Sequence, residues 1–402
     1  MKGDIVYVTG IGLVSGLGIG KQSNMDALRA GRSAIAKVHY LDTAHKDLPV
    51  AEVPCSNEEM LAMLGLPTST ITTRTALMGR LALREAIAEA HLDPERDHPA
   101  FISGTTVGGM DKSEQYYVDF LSNDSRNAYI KTHDCGSCSE MIAEEYRGFS
   151  MMSTLSTACS SAANAILIGT ELIRCGRYEI VIVGGSECIT KFHLNGFKTL
   201  MILDDKPCRP FDKNRAGLNL GEGAAYLVLE SATSVKQRAV TPLCQVSGCA
   251  NRCDAFHQTA SSPNGEGPYL AMTEALKDAG LTPSDIDYIN AHGTGTTHND
   301  ISEGTAIMRV FGNNIPLIAS IKAFIGHTTS AAGSVEAAIS IMAIQHQFAP
   351  CNLNYNEKIE ELSFEPLKHS CDTPINHIMS NSFGFGGNDT VCIFSKVKEE
   401  IV

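Results

Sequence analysis

Cys159 lies in the stretch Leu155-Ser156-Thr157-Ala158-Cys159-Ser160-Ser161-Ala162-Ala163, after a short strand pattern over Phe149–Thr154 and ahead of small and apolar residues that run to Ile173 as a helix. A cysteine at a strand-to-helix turn meets the helix's unpaired N–H groups and the positive end of its dipole, both of which favour a thiolate. The small residues at 158, 160, 161 and 162 leave a substrate room to reach the sulfur. Those features describe a nucleophile. They also suit an inert core thiol, because Cys159 is one of thirteen cysteines and free cysteine commonly packs as a small hydrophobe.

The elements around Cys159 belong to a duplication. The run Ala82-Leu83-Arg84-Glu85-Ala86-Ile87-Ala88-Glu89-Ala90-His91-Leu92-Asp93-Pro94, continuing to Gly104-Thr105, recurs 189 positions later as Ala271 to Pro283, continuing to Gly293-Thr294. Each copy reads as helix, turn and apolar strand without a gap, so the chain is two copies of one α/β unit. In this register Ser103 of the first copy becomes His292 of the second. After that corner the first copy carries a polar insertion, Asp111 to about Gly148, before the cysteine turn. The second copy goes more directly to a strand ending at Lys322 and to His327, followed by a helix of small residues that contains Glu336. Where one half offers Cys159, the other offers His327. Ile180–Gly185 and Ala225–Leu229 are continuously apolar, as in sheets covered on both faces. The polar segment Ser231–Val240 marks the join, which divides the chain into halves at 1–235 and 236–402.

Composition removes several classes of function. With 45 acidic against 32 basic residues the net charge is −13, which is unsuited to nucleic acid. The opening Met1–Val8 goes straight into a strand pattern without a signal-peptide core, and no run reaches the ~18 apolar residues of a membrane span, so a soluble cytoplasmic protein without membrane insertion is expected. Scattered cysteines in an odd number suit reduced thiols. Cys135-Gly136-Ser137-Cys138 has redox or zinc spacing but lacks a matching second motif, which predicts loop cysteines. Gly10–Gly18 lacks the dinucleotide spacing, and Gly20-Lys21 lacks the phosphate-loop pattern.

Four motifs in order resemble the β-ketoacyl-acyl-carrier-protein synthases, and among them the elongating Cys-His-His kind of synthase II type. They are Thr157–Ser161, Asn290-Ala291-His292-Gly293-Thr294-Gly295-Thr296, Lys322 five residues ahead of His327, and Asn381-Ser382-Phe383-Gly384-Phe385-Gly386-Gly387-Asn388. Arg209-Pro210-Phe211-Asp212 and Gly221-Glu222-Gly223 are further signatures, so the likeness runs from the first strand nearly to the C-terminus. It implies a thiolase-like α/β fold, two duplicated halves stacked as five α/β/α/β/α layers, normally as a homodimer. It also implies decarboxylative condensation: an acyl chain passes from its carrier to Cys159, malonyl-carrier loses CO2, and the carbanion attacks the acyl thioester.

That chemistry explains the residue types. Sulfur is a strong nucleophile and a competent leaving group for thioester exchange. Decarboxylation puts charge on the malonyl thioester oxygen, which N–H bonds from neutral His292 and His327 would stabilise. The resemblance makes Lys322 a buried cation that organises the histidines, and Glu336 a carboxylate of that network. It assigns the oxyanion hole to the backbone N–H groups of Cys159 and Phe385, with the Phe385 ring gating the pocket. It places Thr294 and Thr296 on the phosphopantetheine arm and Val107 and Phe197 in the acyl pocket. No metal or other cofactor is implied, since acyl carrier protein brings the substrates on its phosphopantetheine. Lys191, Lys198 and Arg74 are the candidate basic contacts for that carrier.

Three features depart from the commonest pattern: Asn388-Asp389 replaces a frequent Thr-Asn, Gly295 stands where Ser is common, and the Phe197–Arg209 segment is short. They leave room for a specialised polyene or polyketide-like pathway as well as fatty-acid elongation, and for a heterodimer with a related subunit. A thiolase acting on coenzyme A esters would carry a second catalytic cysteine where Phe385-Gly386-Gly387 stand. A non-catalytic chain-length partner would lack the Cys159, His292, Lys322 and His327 set.

Overall fold

The computed structural model describes residues 4–397, so Met1–Gly3 of the expected opening strand lie outside the described residues. In the first half the chain forms β1 (Val6–Ser15), α1 (Arg74–Glu89), β2 (Ala100–Gly104), α2 (Met110–Phe120) and β3 (Met151–Leu155). It continues with α3 (Ser161–Arg174), β4 (Ile180–Glu187), α4 (Lys191–Thr199) and β5 (Gly223–Ser231). The strands lie in the order β3-β2-β4-β5-β1. β2 runs parallel to β3 and β4, and β5 runs antiparallel to β4 and β1.

The second half repeats this plan. It comprises β6 (Cys244–Cys253), α5 (Glu266–Ala279), β7 (Tyr288–Asn290), α6 (Thr297–Phe311) and β8 (Leu317–Ala319). α7 (Ala332–His346), β9 (His377–Gly384) and β10 (Asn388–Ser395) complete it. The order is β8-β7-β9-β10-β6, with the same parallel and antiparallel senses as in the first half. The two sheets join where Val6–Val8 of β1 pair with Cys244–Val246 of β6.

Two helices sit between the sheets. α3 packs on β4 of its own sheet and on β10 of the other, and α7 packs on β9 and on β5. α1 covers the outer face of the first sheet and α5 that of the second, which makes the five layers of the thiolase-like fold. A helix with sheets on both sides has no solvent face, and every residue of α7 from Ala332 to Ile344 is buried. Val335, Ile339 and Met342 of α7 meet Ala165 and Ile166 of α3 and strand residues such as Val183 and Leu227 in one core. Each such aliphatic side chain contributes about 1.5–3 kcal/mol by leaving water. The first turns of the two central helices touch: a β-carbon on Gly333 would lie 2.6 Å from the Ala163 nitrogen. Glycine at 333 therefore lets the turns ahead of both helices, one carrying Cys159 and the other His327, face each other.

Some local expectations change. The polar insertion from Asp111 to about Gly148 contains most of α2 and two further helical segments, Asn127–Ile130 and Cys135–Ala143. Cys135 and Cys138 are thus on a helix, capped by Asp134, whose carboxylate accepts from the Gly136 and Ser137 amides, and Cys138 is buried. All thirteen cysteines are free thiols. The polar join holds a helix, Ala232–Arg238, within which the 235/236 division falls. No helix among the described residues is long and apolar enough to cross a membrane.

Candidate active site

The nucleophile turn is wound tightly by its own serines. Ala158 takes a left-handed φ of 52°, the Ser161 hydroxyl donates to the Ala158 carbonyl at 2.6 Å, and the Thr157 amide donates to the same hydroxyl at 2.9 Å. Cys159 is buried and its Sγ lies 3.0 Å from Nε2 of His327. Burial pushes its thiol up to about 11, against the opposing pull of the Lys322 charge and a hydrogen bond from the Phe385 N–H. The expectation of a resting thiolate is therefore corrected. Cys159 stands two residues ahead of α3's first helical residue, out of water, and desolvation outweighs the groups that favour the anion. It rests as a thiol beside an imidazole nitrogen that can exchange its proton.

The opposite wall comes from the second half. His292 and His327 are both buried, with ring centroids 5.3 Å apart and planes at 86°. Lys322, on a one-turn helix after β8, is fully buried; its Nζ lies 3.3 Å from Nδ1 of His292 and is ion-paired with Glu336 Oε1. An ammonium group can only donate, so Nδ1 of His292 accepts and the ring proton resides on Nε2. Both imidazoles are held well below the usual range by burial and by the Lys322 charge, so both are neutral. Burial raises the Glu336 carboxyl to about 7 despite Lys322.

Two buried carboxyls escaped the reading of the sequence. Glu303 of α6 accepts the amides of His292 at 2.9 Å and Gly293 at 2.7 Å, plus the Asn381 side chain at 3.0 Å, and so shapes the histidine corner. Glu187, at the end of β4, accepts the Thr106 and Val107 amides at 2.8 and 2.9 Å and fixes the loop after β2. The only signal for either was an acidic residue in an otherwise buried element.

A cleft of about 80 Å³ is bounded by Cys159, His292, His327, Thr294, Phe197 and Phe385 among others. Thr294 and Thr296 share a hydroxyl hydrogen bond at 2.9 Å and both line it. The Phe197 and Phe385 rings stack with centroids 5.9 Å apart. Val107 is buried beside Glu187 and does not reach this cleft. Gly295 adopts φ 81°, a backbone that disfavours the serine common there. A larger cleft of about 400 Å³ opens beside Arg74 and has neither cysteine nor histidine in its lining.

Arg74 is corrected as a carrier contact. Its guanidinium is buried, donating to Glu222 at 2.6 and 2.9 Å and to the carbonyls of Val53 and Cys55, which leaves it no outward donor. Lys191 is partly exposed with its ammonium 3.3 Å from Asp42, and Lys198 is exposed with its own 3.0 Å from His45 Nδ1.

The model of the β-ketoacyl synthase N-terminal domain matches residues 4–234 and that of the C-terminal domain matches 243–356. The chain belongs to the β-ketoacyl synthase family of the thiolase superfamily: it is an acyltransferase that forms carbon–carbon bonds in fatty-acid or polyketide chain elongation. It is 31% identical to the tetracenomycin polyketide synthase ketoacyl synthase alpha subunit of Streptomyces glaucescens, over 98% of this chain and 97% of that one. It is also 31% identical to 3-oxoacyl-[acyl-carrier-protein] synthase 2 of Coxiella burnetii, over 98% of each. The solved ishigamide ketosynthase/chain length factor superposes with a TM-score of 0.90 at 30% identity, covering 98% of this chain and 100% of that one.

Proposed function

We propose that this chain is a catalytically complete ketosynthase, in which the half at 1–235 supplies the nucleophile and the half at 236–402 supplies the decarboxylation machinery. The observation that carries this reading is the meeting of Cys159, His327 and His292 in one cleft, with Lys322 buried behind His292. In the first step the Cys159 sulfur adds to the acyl-carrier thioester while His327 Nε2 takes the thiol proton. The N–H groups of Cys159 and Phe385 stabilise the tetrahedral oxyanion. The carrier's sulfur leaves with that proton, and the acyl chain remains on Cys159. Malonyl-carrier then occupies the threonine-lined entrance, where Thr294 and Thr296 bond its phosphopantetheine arm. The Nε2–H of His292, joined by that of His327 once its ring proton has shifted from Nδ1 to Nε2, holds the thioester oxygen as CO2 departs. The enolate carbon attacks the Cys159 thioester, and the expelled sulfur takes a proton from water as the β-ketoacyl chain leaves on its carrier. Lys322 fixes the proton of His292, and Glu336 balances the Lys322 charge. Phe197 shapes the acyl pocket from the wall of this cleft, whereas Val107 acts on it only through the loop that Glu187 holds.

The chemistry requires no prosthetic group on this chain. Its partner is acyl carrier protein, approached through Lys191 and Lys198, and it works in the cytoplasm as a homodimer or beside a related subunit of the chain-length-factor type. The deciding experiment uses purified protein with acyl- and malonyl-carrier. Cys159→Ala abolishes condensation, Cys159→Gln still releases CO2 from malonyl-carrier, and His292→Ala loses that release. Condensation that continues unchanged without the Cys159 sulfur refutes the reading. A ladder of acyl-carriers, with mass measurement of the acylated Cys159 peptide, sorts chain length and pathway.

A further inference from the structure

Asn388 stands where the resembling family most often has threonine, and it is the first residue of β10, directly after the Phe385–Gly387 turn. It pairs across that turn with Gly384, the last residue of β9. Its amide oxygen collects three donors: the Asn164 amide at 2.8 Å, the Asn251 amide at 2.7 Å and the Ser160 hydroxyl at 2.7 Å, whose one hydrogen it shares with the Thr157 carbonyl at 2.8 Å. Ser160 and Asn164 belong to the start of α3, next to Cys159, whereas Asn251 is on β6 of the other half. Thr390 closes the group, donating to Asn164 Oδ1 at 2.8 Å and accepting from Asn251 at 2.8 Å. Asn164 also donates to Thr157 Oγ1 at 2.9 Å, on the other side of the nucleophile turn.

This network joins two pieces of backbone whose spacing matters chemically. The Phe385 N–H, which points at the Cys159 sulfur, belongs to the β9–β10 turn of the second half, and the Cys159 N–H belongs to the first. Apart from the apolar contacts of α3 and α7, the polar joint that holds one turn on the other is centred on a single oxygen. A threonine hydroxyl would be one bond shorter and could not reach both α3 and β6. We propose that Asn388 is a positioning residue for acyl transfer, whose amide oxygen sets the distance between the two N–H groups of the oxyanion hole. It acts on the first half-reaction, which uses that hole. It does not act on decarboxylation, which uses the imidazoles of His292 and His327 on the opposite wall. The inference rests on the ketosynthase reading given above.

The test measures the two half-reactions separately. Single-turnover acylation of Cys159 by an acyl-pantetheine thioester is followed by mass spectrometry. CO2 release from malonyl-carrier is followed in a Cys159→Gln background. A displaced oxyanion donor costs up to about 10²–10³ in rate. Asn388→Ala is expected to slow acylation at least about tenfold, with CO2 release reduced less than about threefold. Ser160→Ala, a milder change if Asn388→Ala folds poorly, is expected to slow acylation by a smaller factor. The double variant should be no slower than Asn388→Ala, since both act through one oxygen. Acylation within about threefold of wild type in Asn388→Ala overturns the proposal. So does an equal loss in both half-reactions, or independent multiplication of the two single effects. A wild-type protein that performs neither half-reaction would instead sink the ketosynthase reading.

Discussion

Lys322→Met tests the electrostatic logic of the histidine wall most directly. The Lys322 ammonium lies 3.3 Å from Nδ1 of His292. Two unit charges at that distance repel by about 5 kcal/mol at an effective dielectric constant near 20, so the ammonium keeps His292 neutral and keeps its proton on Nε2. Methionine fills similar space without the charge. His292 then samples both tautomers, burial still keeping the ring neutral, and the Nδ1–H form withdraws the aimed donor from the enolate oxygen. Loss of one such donor corresponds to about 10²–10³ in rate. The single variant also strands the buried Glu336 carboxylate, at a cost of about 3–5 kcal/mol if it stays ionised. The Lys322→Met, Glu336→Gln pair should therefore be prepared alongside it. The assay is CO2 release from malonyl-carrier between pH 5.5 and 8 in a Cys159→Gln background, where the expected result is a fall of about 10²-fold for both variants. Release within threefold of the parent across that range would refute the argument, because the histidine donor would then owe nothing to Lys322.

Asp389 is buried with Oδ2 lacking any partner, and burial, helped by Asp254 and Glu303, raises its carboxyl from an ordinary 3.8 to about 8. Its folded form holds a proton that the unfolded chain releases, so stability falls as pH rises from about 4 to about 8 and then levels. Asp389→Asn should therefore gain melting temperature over wild type by a margin that widens from pH 5 to pH 8; a constant margin in thermal melts contradicts the assignment. Arg74→Met leaves Glu222 buried and unpaired, which should cost about 3–5 kcal/mol in denaturant unfolding. The KM for acyl-carrier should stay unchanged in the folded fraction, and a raised KM would return Arg74 to the docking surface.

The duplication was legible because its helix-turn-strand register survives in side chains that pack against their own unit. It led to the corners of His292 and His327, and the structure brings both to Cys159. What the chain order hid was pairing across it. Arg74 looked like a free surface cation because its partner Glu222 is 148 positions away. Glu303 and Glu187 work by accepting backbone amides, and a backbone amide has no identity in a sequence. Asn388 was visible only as a departure from a pattern, since its three donors arrive from α3 and β6. The thiolate expectation weighed the helix terminus and omitted desolvation, which depends on the walls supplied by the other half.

The connections that follow β4 and β9 are equivalent in the duplicated unit, yet they differ greatly in size. After β4 the chain makes an excursion over residues 188–222 that includes α4 and Phe197; after β9 it turns within Phe385–Gly387. Their two phenylalanines stack over the same sulfur-bearing cleft. The short arm is confined because its Phe385 N–H meets the Cys159 sulfur, whereas the long arm grips the site by its backbone only at its far end, where the Asn219 carbonyl and the Gly221 amide hold His327. Lengthening, shortening or reshuffling the earlier part of the long arm, residues 191–203, therefore offers a way to retune which acyl chains enter, with the bond-making apparatus inherited unchanged.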